Sequence, residues 1–395
     1  MTGAILRAHG TRAEILPPTR GRRTGHTGRV VAALLVSVVL IGTTAIDGAA
    51  MPTSTGSSRQ QPPPGRPGGE GPCQRADHVV GDPSAGSTEV VRIMEPRGKG
   101  STPLTGGACD DRRRPTIVLV HGFGLSDPAA YEALIDHFVS VGNIVVFPTY
   151  TVVDHDADGD VDRTDLQESF RTVDAAATIA VDDTPRIDTT KLGWWGHSHG
   201  GGMIPWLVQQ AASRGWGRRA LWMSNVAQAY TQLVGDGAIR VPRHTEALTI
   251  AFGDDVSADN RLGIDVFESL TLRPSQKRHV TLQTDRHSEP ALVADHATPI
   301  AVADGGNALD FALWRYADIL ERCAISGTRC DADLAEIGRW PDGTPITPAL
   351  VSRHPTDSGP APAQLAECDS GYASGGSPAF DLNPRRSRCG PSRIT

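Results

Sequence analysis

Residues 191–202 read KLGWWGHSHGGG and place the pattern Gly-x-Ser-x-Gly, centred on Ser198, between an apolar run and a segment that can form a helix. This is the pattern of a nucleophile elbow, a sharp strand-to-helix turn that exposes a serine side chain. Gly196 and Gly200 fit this geometry, because a Cβ at either position would collide with the adjacent strand or helix. The alternative is a tight turn without chemistry, since glycine-rich turns are common. The pattern predicts a serine nucleophile at the end of a buried strand.

Short apolar runs recur on both sides of this turn, with helix-length segments between most of them. Runs without polar alternation predict strands that are buried on both faces of a sheet. Strands that alternate with helices predict an α/β fold, a mostly parallel sheet covered by helices on both faces. We predict strands at 88–94, 115–120, 143–148, 191–195, 220–224, 247–252 and 279–283, and helices at 128–141, 166–181, 202–213, 258–271 and 307–323.

The N-terminal part of the chain has the features of an export signal. Basic residues precede an apolar run from Val30 to Ile41, and residues 48–50 (GAA) offer a small-x-small cleavage site. The apolar run is shorter than the roughly 20 residues that a membrane span needs. We therefore predict a signal peptide at residues 1–50 and an extracellular protein, with an uncleaved anchor facing outside as the alternative.

Composition divides the rest of the chain into three parts. Residues 51–72 are rich in Pro, Gly, Ser and Gln and predict a linker, because they hold too few apolar side chains to bury. Residues 73–338 carry the apolar runs and predict one folded domain. Residues 339–395 are again rich in Pro, Gly and Ser, and predict an irregular tail pinned by disulfide bonds, with disorder as the alternative.

All 6 cysteines follow the predicted cleavage site. An even number in an exported chain favours disulfide bonds over metal ligands or free thiols. Six cysteines can form three disulfide bonds in fifteen different arrangements. The order of the cysteines along the chain suggests one arrangement, in which each bond links residues outside the predicted core. Its bonds join Cys73 with Cys109, Cys323 with Cys330, and Cys368 with Cys389.

The formal net charge of the chain is −7 at pH 7. The region after residue 50 contains no basic helix and no stripe of Arg or Lys interleaved with aromatic residues. We therefore do not expect the protein to bind nucleic acid. Nothing in it indicates an oligomeric state.

An acid and a base are expected after the elbow, because such sites run in the chain order Ser, acid, His. The acid should follow the strand at 247–252, where Asp254 and Asp255 lie. We favour Asp255, which lies two residues past Gly253, and Asp259 is a weaker third choice. The alternative role of these carboxylates is to cap the following helix.

Two histidines are candidates for the base, since the loop after the strand at 279–283 holds both His287 and His296. Only one can act, because a base must come within about 2.6–3.2 Å of the serine oxygen. We favour His296 narrowly and expect the other to be a structural or rim residue.

Residues 121–124 (HGFG) follow the strand at 115–120, where a loop can supply a backbone N–H group to an oxyanion hole. The residue after the nucleophile supplies the second N–H group. We therefore predict that the backbone of Phe123 and of His199 binds the oxyanion. The alternative for the loop is a plain strand-to-helix turn.

These motifs resemble those of extracellular α/β-hydrolases of the lipase, esterase and polyester-hydrolase (cutinase-like) type. The resemblance rests on residues 121–124, 196–202 and 295–299 (DHATP) and covers about residues 88–323. The last motif is similar to the His-x-x-Pro loop of polyester hydrolases, which favours His296. The chain departs from the group at His199, where Met is common, and in a longer segment before His296.

The resemblance implies an α/β-hydrolase fold and a Ser-His-Asp triad that cleaves carboxylic esters without an organic cofactor. The expected substrate is a small ester, a lipid or a polyester. Two other functions stay open, because a fold does not fix the substrate. One is a peptidase or amidase on the same fold, and the other is a catalytically silent secreted binding protein.

An acidic segment, residues 154–165 (DHDADGDVDRTD), matches the calcium-loop template at its first, third, fifth, sixth and ninth positions. Oxygen ligands at alternate positions, with Gly at the bend, let a short loop wrap a hard cation. The twelfth position is Asp165 instead of the usual Glu, so we expect modest affinity. The alternative is a solvated acidic turn. The predicted ligands are Asp154, Asp156, Asp158, Asp160, Asp162 and Asp165.

Overall fold

The protein was analysed as a computed structural model. It describes residues 66–81, 90–98, 109–110, 112–152, 163–228, 238–255, 257–258, 260–289, 291–300, 309–327 and 334–355. The predicted signal peptide, the first part of the predicted linker and the C-terminal residues 356–395 lie outside these ranges.

Nine strands of the described chain form one mixed sheet, in the order β1-β2-β4-β3-β5-β6-β7-β8-β9. The six strands β4, β3, β5, β6, β7 and β8 are mutually parallel, while β1, β2 and β9 run antiparallel to their neighbours. The strands are β1 (Gln74–Val80), β2 (Val91–Arg97), β3 (Arg114–Val120), β4 (Ile144–Pro148), β5 (Ile187–His197), β6 (Ala220–Val226), β7 (Thr245–Phe252), β8 (Lys277–Leu282) and β9 (Leu350–Ser352).

Helices cover both faces of this sheet. The 3-10 helix Pro128–Tyr131 leads into the first α-helix, and the α-helices are α1 (Glu132–Ser140), α2 (Arg163–Asp183), α3 (His199–Ser213), α4 (Asn260–Ser269) and α5 (Asp310–Ser326). None of the helices in the described part is long and apolar enough to cross a membrane.

Neighbouring side chains of the central strands enter two separate hydrophobic cores. Trp194 packs into the core that contains residues of α2, α3 and α4, whereas Trp195 packs into the core that contains α1 and α5. Both indole rings are fully buried. The part of β5 that lies between these cores, residues 192–195, consists of apolar residues and Gly, because both of its faces exclude water. The parallel order with helices on both faces confirms the predicted class, an α/β-hydrolase fold.

Two strands of the sheet were not predicted from the sequence. β1 is mostly exposed and contains Arg75 and Asp77, and β9 lies within the segment that we predicted to be an irregular tail. Both lie at the edges of the described sheet, where each has one paired neighbour. Backbone hydrogen bonds to β2 and β8 hold them, so their sequences need no apolar run.

A disulfide bond joins Cys73 to Cys109, one of the three predicted pairs, with a Cα–Cα distance of 5.3 Å. It links the start of β1 to the segment before β3. Cys323 in α5 is also disulfide-bonded. Its predicted partner Cys330, and the predicted pair of Cys368 and Cys389, lie outside the described residues.

The described end of the predicted linker packs against the domain. The N–H group of Gly68 donates to Oδ2 of Asp318 in α5 at 2.7 Å, and that of Gly71 donates to Oγ of Ser140 in α1 at 2.9 Å. Residues 66–72 therefore hold a fixed position on α1 and α5.

Candidate active site

Ser198 lies on the sharp turn between β5 and α3. Its φ is 55° and its ψ is −120°, a conformation that non-glycine residues rarely adopt. Its N–H group donates to the carbonyl of Val226 at 2.9 Å, which ties the turn to the neighbouring strand β6. Such strain persists only where the surrounding structure enforces it, and it is typical of a nucleophile held above the sheet.

The two glycines of the pattern make this turn possible. A Cβ on Gly200 would lie 2.3 Å from the carbonyl oxygen of Val120 and 2.4 Å from that of His121. A Cβ on Gly196 would lie 2.5 Å from the carbonyl oxygen of Gly200. Each distance is too short for a carbon atom, so the helix can approach β3 and β5 this closely only without side chains here.

Ser198, His296 and Asp255 form a continuous hydrogen-bonded chain. Oγ of Ser198 lies 3.0 Å from Nε2 of His296, and Nδ1 of His296 lies 2.8 Å from Oδ2 of Asp255. Since a carboxylate only accepts hydrogen bonds, Nδ1 carries a proton, and Nε2 of the neutral ring is free to accept one from Ser198. A serine, an imidazole and a buried carboxylate in this order can generate a nucleophilic oxygen.

The other oxygen of Asp255 is held by the backbone that follows it. Oδ1 accepts hydrogen bonds from the N–H groups of Ser257 at 2.7 Å and Ala258 at 3.0 Å. These contacts fix the carboxylate just beyond the end of β7. The capping role considered for this residue and the contact with His296 therefore coexist, one on each oxygen atom.

Asp254, the other main candidate for the acid, contacts different partners. Its Oδ2 accepts hydrogen bonds from Oγ1 of Thr284 at 2.7 Å and from Arg286 at 3.1 Å on the protein surface. The weaker candidate, Asp259, lies outside the described residues.

His287, the second candidate for the base, pairs with Asp342 through Nε2 at a distance of 2.8 Å. Its ring lies beside that of Trp340, with 5.6 Å between the ring centroids. The structure thus brings His296 to Ser198 and directs His287 to the segment before β9.

Hydrogen bonds within its own loop set the position of His296. The Oγ1 atom of Thr298 accepts from the N–H group of Asp295 at 3.0 Å and donates to the carbonyl of Val293 at 3.2 Å. The N–H group of Asp254 donates to the carbonyl of Ala294 at 2.9 Å, so the loop that carries the base is joined to the one that carries the acid.

The two predicted oxyanion-binding residues lie in different segments, the loop after β3 and the first turn of α3. Phe123 lies in the loop after β3 and is 50% exposed. His199 is the first residue of α3, so its N–H group has no partner within the helix and lies at the positive end of the helix dipole. Its side chain is buried, and Nε2 lies 3.0 Å from Oγ of Ser169 in α2.

Three buried histidines lie in the elbow and at the end of β3: His121, His197 and His199. Burial lowers the pKa of His121 to about 4 and that of His199 to about 3, and it lowers the pKa of His197 well below its usual range. All three are therefore neutral near pH 7. They shape the site without placing a positive charge beside Ser198.

The sequence analysis did not identify Tyr131, His197 or Ser169 as part of this site. His197 lies inside the Gly-x-Ser-x-Gly pattern, at a position where the pattern specifies no residue type. Tyr131 ends the 3-10 helix that follows the loop 121–124, and Ser169 lies in α2. Neither belongs to a motif, so no local pattern points to them.

Most of the predicted metal ligands lie outside the described residues, namely Asp154, Asp156, Asp158, Asp160 and Asp162. Asp165 is described and is buried in the first turn of α2. Elsewhere in the described ranges, no group of three or more His, Cys, Asp or Glu side chains is placed to hold a metal. The calcium site stays a prediction from the sequence.

The sheet order, the strained elbow and the helices on both faces define a protein with the α/β-hydrolase fold. Among solved structures, the chain is similar to a hyperthermophilic esterase from the archaeon Pyrobaculum calidifontis, with a TM-score of 0.41 and 14% identity over 65% of this chain and 88% of that one. A similarity this low carries no weight for the activity of this chain. Comparison with models of protein families finds no match, and comparison with curated proteins finds none either.

Proposed function

We propose that this protein is a serine hydrolase that cleaves carboxylic esters through Ser198, His296 and Asp255. The observation that carries the proposal is the hydrogen-bonded chain between these side chains, which ends on a serine at a φ of 55°. Holding a residue in such a conformation costs about 1–3 kcal/mol, and strain of this kind concentrates at functional sites.

The first half of the reaction follows from the positions of the protons. Nε2 of His296 accepts the proton of Ser198 as Oγ attacks the carbonyl carbon of the ester. The negative charge that develops on the carbonyl oxygen is stabilised by the N–H groups of Phe123 and His199. The carboxylate of Asp255 stabilises the imidazolium. As the bond to the alcohol breaks, His296 gives the proton to the leaving oxygen, and the acyl group stays on Ser198.

The second half repeats these steps with water in place of the serine. His296 accepts a proton from a water molecule, whose oxygen attacks the acyl carbon. The proton then returns to Oγ of Ser198 as the acid leaves, so the side chain is regenerated. No organic cofactor is required for either half.

Hydrolysis of p-nitrophenyl esters from acetate to palmitate by the purified chain tests the proposal. Ser198→Ala should abolish the activity, whereas Ser213→Ala, which removes an exposed hydroxyl at the end of α3, should leave it unchanged. The chain-length optimum would distinguish an esterase from a lipase. A parallel series of p-nitroanilides would reveal a peptidase or amidase.

Labelling with a fluorophosphonate separates an active site from a silent one. We expect one adduct, at Ser198, and none in Ser198→Ala. A folded chain that hydrolyses no ester and forms no adduct would contradict the proposal and favour the secreted binding protein.

We also propose that the protein is exported and that residues 154–165 bind Ca²⁺. The disulfide between Cys73 and Cys109 supports export, because such bonds persist in oxidising compartments. Ligand-linked stabilisation is about 2.7 kcal/mol when Ca²⁺ is in hundredfold excess over Kd. A chelator should therefore lower Tm, with Asp156→Asn as a variant that reduces the shift. An unchanged Tm between chelator and millimolar Ca²⁺ would contradict the site.

A further inference from the structure

We propose that Tyr131 and His197 form a positioning relay that fixes the backbone of His296 relative to the oxyanion loop, residues 121–124. The proposal rests on the proposed function, since it concerns the alignment of the same site. Neither residue is assigned to attack, to transfer the substrate proton or to bind the oxyanion.

Three hydrogen bonds in series make up the relay. The N–H group of Gly122 donates to Oη of Tyr131 at 2.9 Å. Oη of Tyr131 lies 2.8 Å from Nδ1 of His197. Nε2 of His197 lies 2.9 Å from the backbone carbonyl oxygen of His296. The series thus runs from the residue before Phe123 to the residue whose ring contacts Ser198.

The direction of each hydrogen bond follows from the groups involved. A carbonyl oxygen can only accept, so Nε2 of His197 must carry a proton and donate it. In the neutral ring Nδ1 is then an acceptor, and the hydroxyl proton of Tyr131 points toward it. The phenol oxygen keeps its lone pairs for the N–H group of Gly122. Every polar group in the series is satisfied in one consistent arrangement.

Burial makes this arrangement rigid. Tyr131 and His197 are both fully buried, and the ring of Tyr131 packs edge-on against those of Trp195 and His197. The rings of His197 and His296 lie 4.8 Å apart, measured between centroids. Hydrogen bonds in such surroundings are strong, and an unpaired group is costly.

Electrostatics keep the imidazole of His197 in its neutral form. Burial lowers the pKa of His197 well below its usual range, and the neighbouring His296 lowers it further. When His296 becomes charged during the reaction, His197 therefore stays neutral and keeps its hydrogen bonds. The position of the base is maintained through the proton transfer.

The relay joins the two parts of the site that must be aligned across Ser198. One end lies next to the predicted oxyanion donor Phe123, and the other end is the backbone of the predicted base His296. A displacement of about 1 Å in a catalytic group can reduce the rate about 10²-fold. Loss of the contact between His197 and His296 should therefore lower kcat and leave substrate binding nearly unchanged.

Two substitutions of His197 separate its two hydrogen bonds. In His197→Asn the amide oxygen can take the place of Nδ1 and contact Tyr131, but nothing reaches the carbonyl of His296. In His197→Gln the longer side chain can place its amide N–H group near the position of Nε2. We expect His197→Asn to lower kcat by about 10- to 100-fold with KM within about twofold. We expect His197→Gln to restore most of that loss.

Tyr131→Phe tests the relay at its other hydrogen bond, and does so even if the substitutions of His197 impair folding. We expect its kcat to fall by about 10-fold, with KM again unchanged. Tyr316→Phe is the matched control. Tyr316 is also buried, and its hydroxyl donates to the backbone carbonyl of Leu334 at 2.8 Å in a part of the domain outside the site.

The outcomes distinguish positioning from a merely structural role. If His197→Asn and His197→Gln lose the same Tm but keep the wild-type kcat, the relay is overturned. Equal kcat values in the two variants would overturn it as well. A wild-type chain without esterase activity or fluorophosphonate adduct would remove the proposed function and the relay with it. Full activity in the wild type, in His197→Asn and in Tyr131→Phe would remove the relay alone.

Discussion

Two histidine–aspartate pairs arise from the same loop after β8, yet they lie in different surroundings. His296–Asp255 and His287–Asp342 both have an N–O distance of 2.8 Å. The carboxylate of Asp255 is 3% exposed, whereas that of Asp342 is 58% exposed. His296 also presents its second ring nitrogen to Ser198. The N–O distance of a histidine–aspartate pair therefore does not indicate its role. The burial of the carboxylate and the partner of the second ring nitrogen are better indicators.

A third pair shows that burial alone does not define the role either. His137 in α1 and Asp318 in α5 are both buried and lie 3.2 Å apart. The carboxylate of Asp318 also accepts the N–H group of Gly68, so this pair joins two helices and the segment before β1. No serine on a strained turn completes it. The elbow, and not the pair, distinguishes the candidate active site.

The largest expected difference between the two loop pairs is in activity. His296→Ala should lower kcat by about 10⁶-fold, because no group remains to accept the proton of Ser198. His287→Ala should leave kcat within about twofold of wild type, because His287 contacts Asp342 at the surface. Steady-state hydrolysis of a p-nitrophenyl ester measures both. A large loss of kcat in His287→Ala, together with an active His296→Ala, would instead identify His287 as the base.

The carboxylates should show the same contrast with a smaller effect. Asp255→Asn should lower kcat by about 10⁴-fold, since the amide no longer holds His296 in the required tautomer. Asp342→Asn is the matched control and should retain activity, as should Asp254→Asn. Similar kcat values for the Asp255 and Asp342 variants would mean that the buried carboxylate has no catalytic role.

The sequence predicted the central strands from their short apolar stretches, which are buried on both faces of the sheet. It did not predict β1 and β9, since edge strands depend on backbone pairing more than on side-chain composition. It located Ser198 through glycines that the close approach of strand and helix requires. It favoured His296 over His287 only narrowly, because hydrogen bonds such as those of Thr298, which decide which ring faces the serine, leave no pattern in the sequence.

The contacts around His197 could not be predicted for a different reason. Tyr131 and His197 are 66 residues apart, and their contact depends on the packing of the turn before α1 against β5. No local sequence pattern predicts a contact between residues so far apart in the chain. A motif therefore locates a candidate nucleophile, whereas the side chains that contact it become visible only in the folded chain.

The buried pair in α1 and α5 should affect stability instead of activity. Asp318→Ala leaves His137 and the N–H group of Gly68 without their buried acceptor, and should lower the free energy of unfolding by about 3 kcal/mol. Urea denaturation measures the change, and kcat should stay near the wild-type value. Glu168→Ala is the control, because its exposed pair with Arg171 is worth less than about 1 kcal/mol. Equal stability in the two variants would contradict the role of the buried pair.

The smallest expected effect concerns the exposed pair at acidic pH. The hydrogen bond from His287, with a further one from the N–H group of Thr344, holds the pKa of Asp342 at about 2. Because the pKa is lower in the folded chain, this contribution to stability is complete above about pH 4 and is lost as the pH falls through about 2. In His287→Ala the main contact is absent, so the pKa of Asp342 should rise toward its ordinary value of 3.8. NMR titration of the Asp342 carboxyl measures this shift. An unchanged pKa in His287→Ala would mean that Thr344 alone holds the carboxylate, and that the exposed pair lacks even an electrostatic role.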